Sequence, residues 1–340
     1  MFAPRFQHPI GFLRSILFPW LPAMAASLVL AACESSGDTL APASDLEEET
    51  TAAPSNIVHS GEAMALTTTQ RILFMSYPSA GGPTVTKVDP TGVSRAPIAA
   101  ADYESVAAWS RDNKRIALVR QRPFGNTSQD DIYLINADGS NGHWAAPTPS
   151  AYWVHDPSWS PDGSRLVVRV NIQNYAHLAW MDVATGQLTL FNPLQGGVSG
   201  SRPSYNSAGT RIIYMGPDYK TIEQINADGS NHKVRFSSAT FVWDPSFSPD
   251  GKKIAFSRQL AGTNNFEIFV KNFAEGTLKR LTTNGAYDTH PTWSPDGTRI
   301  AFASNRSGTQ QIWTMNSATG GGLSRITHTS NNESEPAWSH

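Results

Sequence analysis

One short phrase, aromatic-Ser-Pro-Asp-Gly-x-basic-apolar, returns along the chain at near-constant intervals, and this restricts the possible folds more than any compositional total does. Its clearest copies are DPSWSPDGSRLVV (156–168), DPSFSPDGKKIAF (244–256) and HPTWSPDGTRIAF (290–302). Weaker copies stand at VAAWSRDNKRIAL (106–118) and RPSYNSAGTRIIY (202–214), and a shorter one, EPAWSH, occupies the last six positions. The repeated aromatics are Trp109, Trp159, Tyr205, Phe247, Trp293 and Trp338, spaced 50, 46, 42, 46 and 45 residues apart. A second phrase, apolar-Asn/Asp followed shortly by Gly, falls between copies of the first and starts at Asp89, Asn136, Asp182, Asn226, Asn272 and Asn316. Both counts give six, at the period of a propeller blade.

Each part of the phrase has a local cause. In SPDG, Pro presets the first central turn position, Asp tolerates the second, and Gly accepts the positive φ that closes a short hairpin. The imperfect copies keep this logic, with Asn113 in the place of Gly and Gly209 retained. The strand that follows, such as RIAFAS (299–304), is apolar on both faces, which suits a sheet sandwiched between two neighbours. The expected fold is therefore all-β: a six-bladed β-propeller of four-stranded antiparallel blades over residues 67–340, with the repeated aromatics as wedges between blades. TTTQRILFMS (67–76) aligns with the strand after a turn and lacks the inner strand before it, so EPAWSH is expected to complete that first blade and close the ring.

Charged residues make up only 16% of the chain and the net charge is -2, so there is no basic excess with which to bind a nucleic-acid backbone. Residues 1–15 carry Arg5 and Arg14 without an acid, and ILFPWLPAMAASLVLAA (16–32) is apolar up to the only cysteine, Cys33. That layout reads as an export signal over 1–32; it is short for a membrane span and is interrupted by Pro19 and Pro22. A lone cysteine has no internal disulfide partner, so in an exported chain it is either a thiol at risk or a modified one. Residues 33–66 are rich in Ser, Ala, Thr, Pro and acid, and read as a flexible acidic tether reaching roughly 30–35 Å on average.

Leu30-Ala31-Ala32-Cys33 resembles the lipobox of bacterial lipoproteins, which implies lipidation at Cys33 and a membrane attachment through it. Glu34 follows in place of the Asp that marks inner-membrane retention in enteric bacteria, so the resemblance implies the periplasmic face of the outer membrane. The stretch IAFASNRSGTQQIWTMNSATGGGLSRITHTSNNESEPAWS (300–339) resembles one full repeat of the propeller domain of TolB, a periplasmic component of the Tol-Pal envelope system. That resemblance covers residues 67–340 and implies a non-enzymatic binding or scaffolding role in the cell envelope, with a protein or glycan partner at a channel mouth. TolB carries an additional α/β domain before its propeller; this sequence has a signal and a tether there, so the resemblance leaves a role in Tol-Pal itself open.

Three positions before each aromatic lie Val106, Asp156, Arg202, Asp244, His290 and Glu335, of which five are ionisable. Residues entering the inner strands ring a channel, so Asp156, Arg202, Asp244, His290 and Glu335 form the candidate binding ring at its mouth. The alternative is that strand ends are charged because they are solvated, or that acids and arginine pair across the channel. INADGSN occurs twice (135–141 and 225–231) but supplies only Asp138 and Asp228 as carboxylates, too few for a calcium loop. Neither G-x-S-x-G nor H-E-x-x-H is present, and His143, His155, His177, His232, His290 and His328 are spread over separate blades. No catalytic residue, metal or cofactor is expected, and the domain is expected to be monomeric. The competing reading is a carbohydrate-active enzyme similar to oligogalacturonate lyases, with a divalent cation in the channel; those have seven blades and a histidine-rich site.

Overall fold

The structure is a computed structural model that describes residues 70–100, 107–146, 152–172, 175–191 and 197–340. The signal, Cys33, the tether and Val106 lie outside the described residues. Among the described residues none is helical, and no helix is long and apolar enough to cross a membrane.

Twenty-four strands form six four-stranded antiparallel sheets. Blade 1 holds β1 (Ile72–Tyr77), β2 (Thr84–Val88) and β3 (Arg95–Ala100), and blade 2 holds β4 (Ala107–Trp109), β5 (Arg115–Phe124), β6 (Thr127–Asn136) and β7 (His143–Trp144). Blade 3 is β8 (Trp153–Trp159), β9 (Arg165–Ile172), β10 (Tyr175–Asp182) and β11 (Leu188–Leu190). Blade 4 is β12 (Ser201–Tyr205), β13 (Arg211–Met215), β14 (Thr221–Asn226) and β15 (Lys233–Ser237). Blade 5 is β16 (Val242–Phe247), β17 (Lys253–Gln259), β18 (Phe266–Asn272) and β19 (Leu278–Arg280). Blade 6 is β20 (Asp288–Trp293), β21 (Arg299–Ser304), β22 (Gln311–Asn316) and β23 (Ser324–Arg325). The last strand, β24 (Asn332–Trp338), pairs with β1 in the order β24-β1-β2-β3, with Ile72 opposite Trp338. The six-bladed ring is thus closed by the C-terminal strand, as the repeat count predicts.

The SPDG turns show why the phrase recurs. In blade 3, Gly163 donates its N–H to Ser160 O at 2.9 Å and sits at φ 69°. Ser160 adds a clamp that the turn residues alone do not require: its Oγ donates to Asp162 Oδ1 at 2.6 Å and accepts from the Arg165 N–H at 3.0 Å. The same serine–aspartate contact recurs at Ser110, Ser248 and Ser294, each at 2.6 Å. The basic residue after the turn reaches into the next blade. Arg115 lies over the Trp159 ring at 4.6 Å and donates to Gly163 O at 2.9 Å; Arg211 does the same with Phe247 at 5.3 Å and Gly251 O at 3.0 Å.

The aromatics act as wedges. Trp109, Trp159, Phe247, Trp293 and Trp338 are all buried, and Trp159 shares a core with residues of blades 2 and 3. The Trp159 and Trp293 indole N–H groups each donate to a carbonyl of the preceding blade, Ala108 and Ser246, at 3.1 Å. Trp109 and Trp338, either side of blade 1, make no such bond. Cohesion at those two seams comes from apolar packing, of Trp338 with Ala301 and Ile312 of blade 6 and of Trp109 with Leu73 and Met75 of blade 1.

Candidate functional site

Four inner strands, β8, β12, β16 and β20, step out of register with their neighbours at the same point, between His155 and Ser158, Ser201 and Ser204, Trp243 and Ser246, and Thr289 and Thr292. The β24–β1 pairing shifts equivalently between Leu73 and Met75. Asp156, Arg202, Asp244, His290 and Glu335 occupy these bulges, with φ of 51°, 52°, 55°, 55° and 55°. Each precedes a proline, which has no N–H to leave unpaired where the ladder is interrupted. A non-glycine residue at positive φ is held at a cost of order 1–3 kcal/mol. Five in one ring show a backbone device repeated around the channel, since a bulge re-aims the side chain it carries.

The five side chains meet. Arg202 lies among three carboxylates: Nη2 donates to Glu335 Oε1 at 3.2 Å, and Nε lies 3.5 Å from Asp244 Oδ1 and 3.6 Å from Asp156 Oδ1. The Arg202 backbone N–H also donates to Asp156 Oδ2 at 3.1 Å. His290 Nε2 lies 3.6 Å from Asp244 Oδ2 and 3.7 Å from Glu335 Oε1, with Nδ1 2.9 Å from Thr289 Oγ1. A sixth charged group comes from β9: Arg169 Nε stands 2.9 Å from Asp156 Oδ2. Burial pushes the Asp156 carboxyl up, but the Arg169 and Arg202 guanidiniums outweigh it and hold it at about 2. Against the cost of burial, Glu335, Asp156 and Asp244 raise the Arg202 guanidinium above its ordinary value.

These groups line the deep part of a cavity of about 430 Å³ that runs down the channel toward the turn end of the ring. Its walls carry the repeated aromatics, and Pro161, Pro249 and Pro295 of the turns line it with Arg111. The ring therefore lies within the channel and not at an open mouth: the bulges turn these side chains inward, where only 6% of the Asp156 side chain and 30% of the Arg202 side chain are exposed. The cross-channel pairing weighed from the sequence is present, yet it leaves two acceptors over. Asp244 Oδ2, 3.6 Å from His290 Nε2, and Glu335 Oε2 are buried and accept no hydrogen bond among the described residues.

A divalent cation does not fit this donor set. Arg202 contacts all three carboxylates and His290 is the single imidazole of the ring, and among the described residues no group of three or more His, Cys, Asp and Glu is placed to hold a metal ion. The INADGSN turns are self-satisfied, with Asp138 Oδ1 and Asp228 Oδ1 each accepting from the following serine N–H at 2.9 Å. Of the scattered histidines, His232 meets Glu223 Oε2 at 2.7 Å on the outer part of blade 4, remote from the ring in sequence and sheet order.

Two residues of this region went unrecognised in the sequence. Arg169 had a signal, as the one charge inside the apolar run RLVVRV. His155, Nδ1 3.5 Å from Asp130 Oδ2, had none that separates it from a loop histidine. Burial, with Arg169 and Arg202 adding to it, pushes the His155 imidazole down from 6.5 to about 4. The unfolded chain therefore takes up this proton before the folded one does, and stability falls as pH drops from 6.5 towards 4, by up to about 1.4 kcal/mol per unit. Asp156 behaves oppositely in range: its stabilisation is full above 3.8 and is lost as pH falls through about 2. His340 is likewise pushed down by burial to about 4, so His155→Asn is expected to shrink the first decline and leave the second, read from urea midpoints across pH; an unchanged profile would contradict the assignment.

The crystal structure of TolB from Acinetobacter baumannii matches with a TM-score of 0.67 at 20% identity, over 79% of this chain and 66% of that one. Residues 221–340 match the family model of the TolB beta propeller domain. The described ring thus shares the fold of the TolB propeller. The structure of putative TolB from Agrobacterium tumefaciens matches with a TM-score of 0.60 at 16% identity, over 78% of this chain and 91% of that one. An uncharacterized peptidase, YuxL, of Bacillus subtilis is 27% identical over 157 residues, which is 46% of this chain and 22% of the peptidase. The match thus spans about a fifth of that peptidase, and a little under two thirds of the Acinetobacter TolB chain is covered.

Proposed function

We propose that this TolB-like propeller is a non-enzymatic binding or scaffolding module of the bacterial cell envelope, tethered to the membrane by lipid on Cys33, with the periplasmic face of the outer membrane as its place. It recognises a protein or glycan partner through the channel cavity. One observation carries the reading: in the cavity, among the described residues, Glu335 Oε2 accepts no hydrogen bond and Asp244 Oδ2 has only His290 Nε2 at 3.6 Å, while Arg202 is engaged with all three acids. A buried acceptor without a donor costs about 1–3 kcal/mol, so a partner presenting N–H or O–H groups gains by supplying them. The surrounding ion pairs hold those acceptors in place, and preorganisation of this kind favours affinity.

The test is a pull-down from envelope extract comparing the wild-type domain with Asp156→Ala plus His290→Ala, each verified as folded by circular dichroism. Loss of a specific partner in the variant supports the cavity; equal recovery of every partner by both proteins contradicts it. Metal analysis of the purified domain addresses the lyase-like alternative, which a stoichiometric transition metal retained through purification would favour. The anchor is tested separately: Cys33→Ser is expected to move the protein from the membrane fraction to the soluble one.

A further inference from the structure

One arginine of the outer strands lacks the acceptor that its counterparts have. Arg95 on β3 pairs with Glu333 at 2.6 Å, Arg280 on β19 pairs with Glu267 at 3.2 Å, and Arg325 on β23 donates its Nε to Thr327 O at 2.7 Å. Arg235 on β15 enters no ion pair or hydrogen bond among the described residues, and its buried Nε has no acceptor there. The register shows how it comes to stand apart: Val234 lies opposite Glu223 and Phe236 opposite Ile222, so Arg235 is the extra residue of a bulge in β15. A bulge re-aims the side chain it carries, and this one lies on the Phe273 ring of blade 5, with Cζ 3.8 Å from the centroid. Stacking holds the guanidinium in place without supplying an acceptor to its N–H groups.

Arg211 joins it on the same face of blade 4. Its guanidinium lies over Phe247 of blade 5 at 5.3 Å, and Nη2 donates to Gly251 O at 3.0 Å. Phe247 and Phe273 pack in one apolar cluster, so both guanidiniums rest on one aromatic surface. Burial lowers the Arg235 guanidinium below its ordinary value, and the Arg211 charge beside it lowers it further. Residues directly opposite across a ladder share a face, so Gln224, opposite Ile213 of that cluster, and Lys233, opposite Gln224, also point toward blade 5. Gln224 is 4% exposed and its Oε1 has no partner among the described residues; Lys233 is exposed. Neighbouring acids are committed elsewhere. Glu223 accepts from Tyr214 Oη at 3.1 Å on the other face, and Asp228 and Asp250 accept from Ser230 Oγ and Ser248 Oγ within their own turns, each at 2.6 Å.

Paired guanidiniums without a carboxylate between them form a receptor for an oxyanion. A phosphate monoester brings roughly two negative charges and three acceptor oxygens, against the single charge and two oxygens of a carboxylate, and so matches a pair of arginines and a lysine more closely. The Gln224 amide, turned over, adds N–H groups to the same face. We infer that the seam between blades 4 and 5 binds a phosphate monoester, held by Arg211 and Arg235 with Lys233 at its edge. Neither arginine lines the channel cavity, so this site is separate from the one proposed above and does not rest on that reading.

In the test, the full chain carrying Cys33→Ser, which removes any lipid contribution, is titrated with inorganic phosphate and with glycerol 3-phosphate, followed by calorimetry and by the thermal unfolding midpoint. The same protein is sedimented with phosphatidylcholine vesicles, with and without phosphatidic acid. At least one phosphate probe is expected to bind, and Arg235→Gln to weaken it about tenfold or more and remove the midpoint shift. Lys233→Gln, at an exposed position, is a second variant that leaves the fold intact and should weaken binding several-fold. Lys220→Gln, an exposed charge just before β14, and His290→Ala in the cavity should leave the affinity unchanged. Binding of the soluble probes alone assigns the site to a soluble ester, and sedimentation with phosphatidic acid vesicles that Arg235→Gln abolishes assigns it to a lipid headgroup; either supports the phosphate site. The inference is overturned if no phosphate probe binds, if Arg235→Gln binds as tightly as the unsubstituted chain, or if Lys220→Gln weakens binding as much, which would reduce the site to diffuse surface charge.

Discussion

Removing Asn332–His340 is expected to abolish the cooperative unfolding transition of the domain. Those residues give β1 its inner partner, with Ser339 N donating to Arg71 O at 2.7 Å and the buried Glu333 ion-paired to Arg95 at 2.6 Å. They also supply Trp338, which is 4% exposed between blades. A buried tryptophan alone is worth about 3–5 kcal/mol, a large part of the 5–15 kcal/mol that stabilises a typical domain. The shortened chain would also present β1 as an open edge, a template for pairing with other copies. Urea unfolding followed by tryptophan fluorescence, with size-exclusion chromatography alongside, should show one transition and a monomer for the intact chain, and no sharp transition or oligomers for the shortened one. An unchanged midpoint would mean that the ring does not depend on this closure.

Asp156→Ala should be among the most costly single substitutions at the channel. It leaves Arg169 without the carboxylate 2.9 Å away and takes from Arg202 one of its three acidic neighbours. Breaking a buried pair by removing one partner costs about 3–5 kcal/mol, because the remaining charge stays buried. Adding Arg169→Met to Asp156→Ala removes the stranded charge as well and should recover a substantial part of that loss, a coupling that a double-mutant cycle in urea measures directly. If the two substitutions add without coupling, the ion pair does not hold Asp156 in place.

The architecture was legible because its causes are local. SPDG needs Pro, Asp and Gly at fixed offsets, and the structure places Gly163, Gly251, Gly297 and the substitute Asn113 at positive φ as that logic requires. Ring closure was legible for the same reason, since EPAWSH is the inner-strand half of the phrase. The role of the basic residue was not, although its position is fixed: Arg115 and Arg211 act on the next blade about forty residues later, a contact that no local pattern encodes. At the channel, spacing alone identified the five ionisable positions, but not that they face one another closely enough for Arg202 to meet three acids. The repeated X-Pro dipeptides DP, RP, DP, HP and EP were the visible trace of the bulges that bring this about. Arg169 escaped because it sits on a second strand.

The cavity is tested most directly by placing a photo-crosslinking amino acid at Arg111, exposed at the cavity lining, and in a second protein at Val234, 52% exposed on the outer strand of blade 4. Irradiation in intact envelopes should give a discrete adduct from position 111 that is missing from position 234 and is lost when His290→Ala is added. Adducts from position 234 alone, or a position 111 adduct indifferent to His290, would show that the partner meets this propeller somewhere other than its channel.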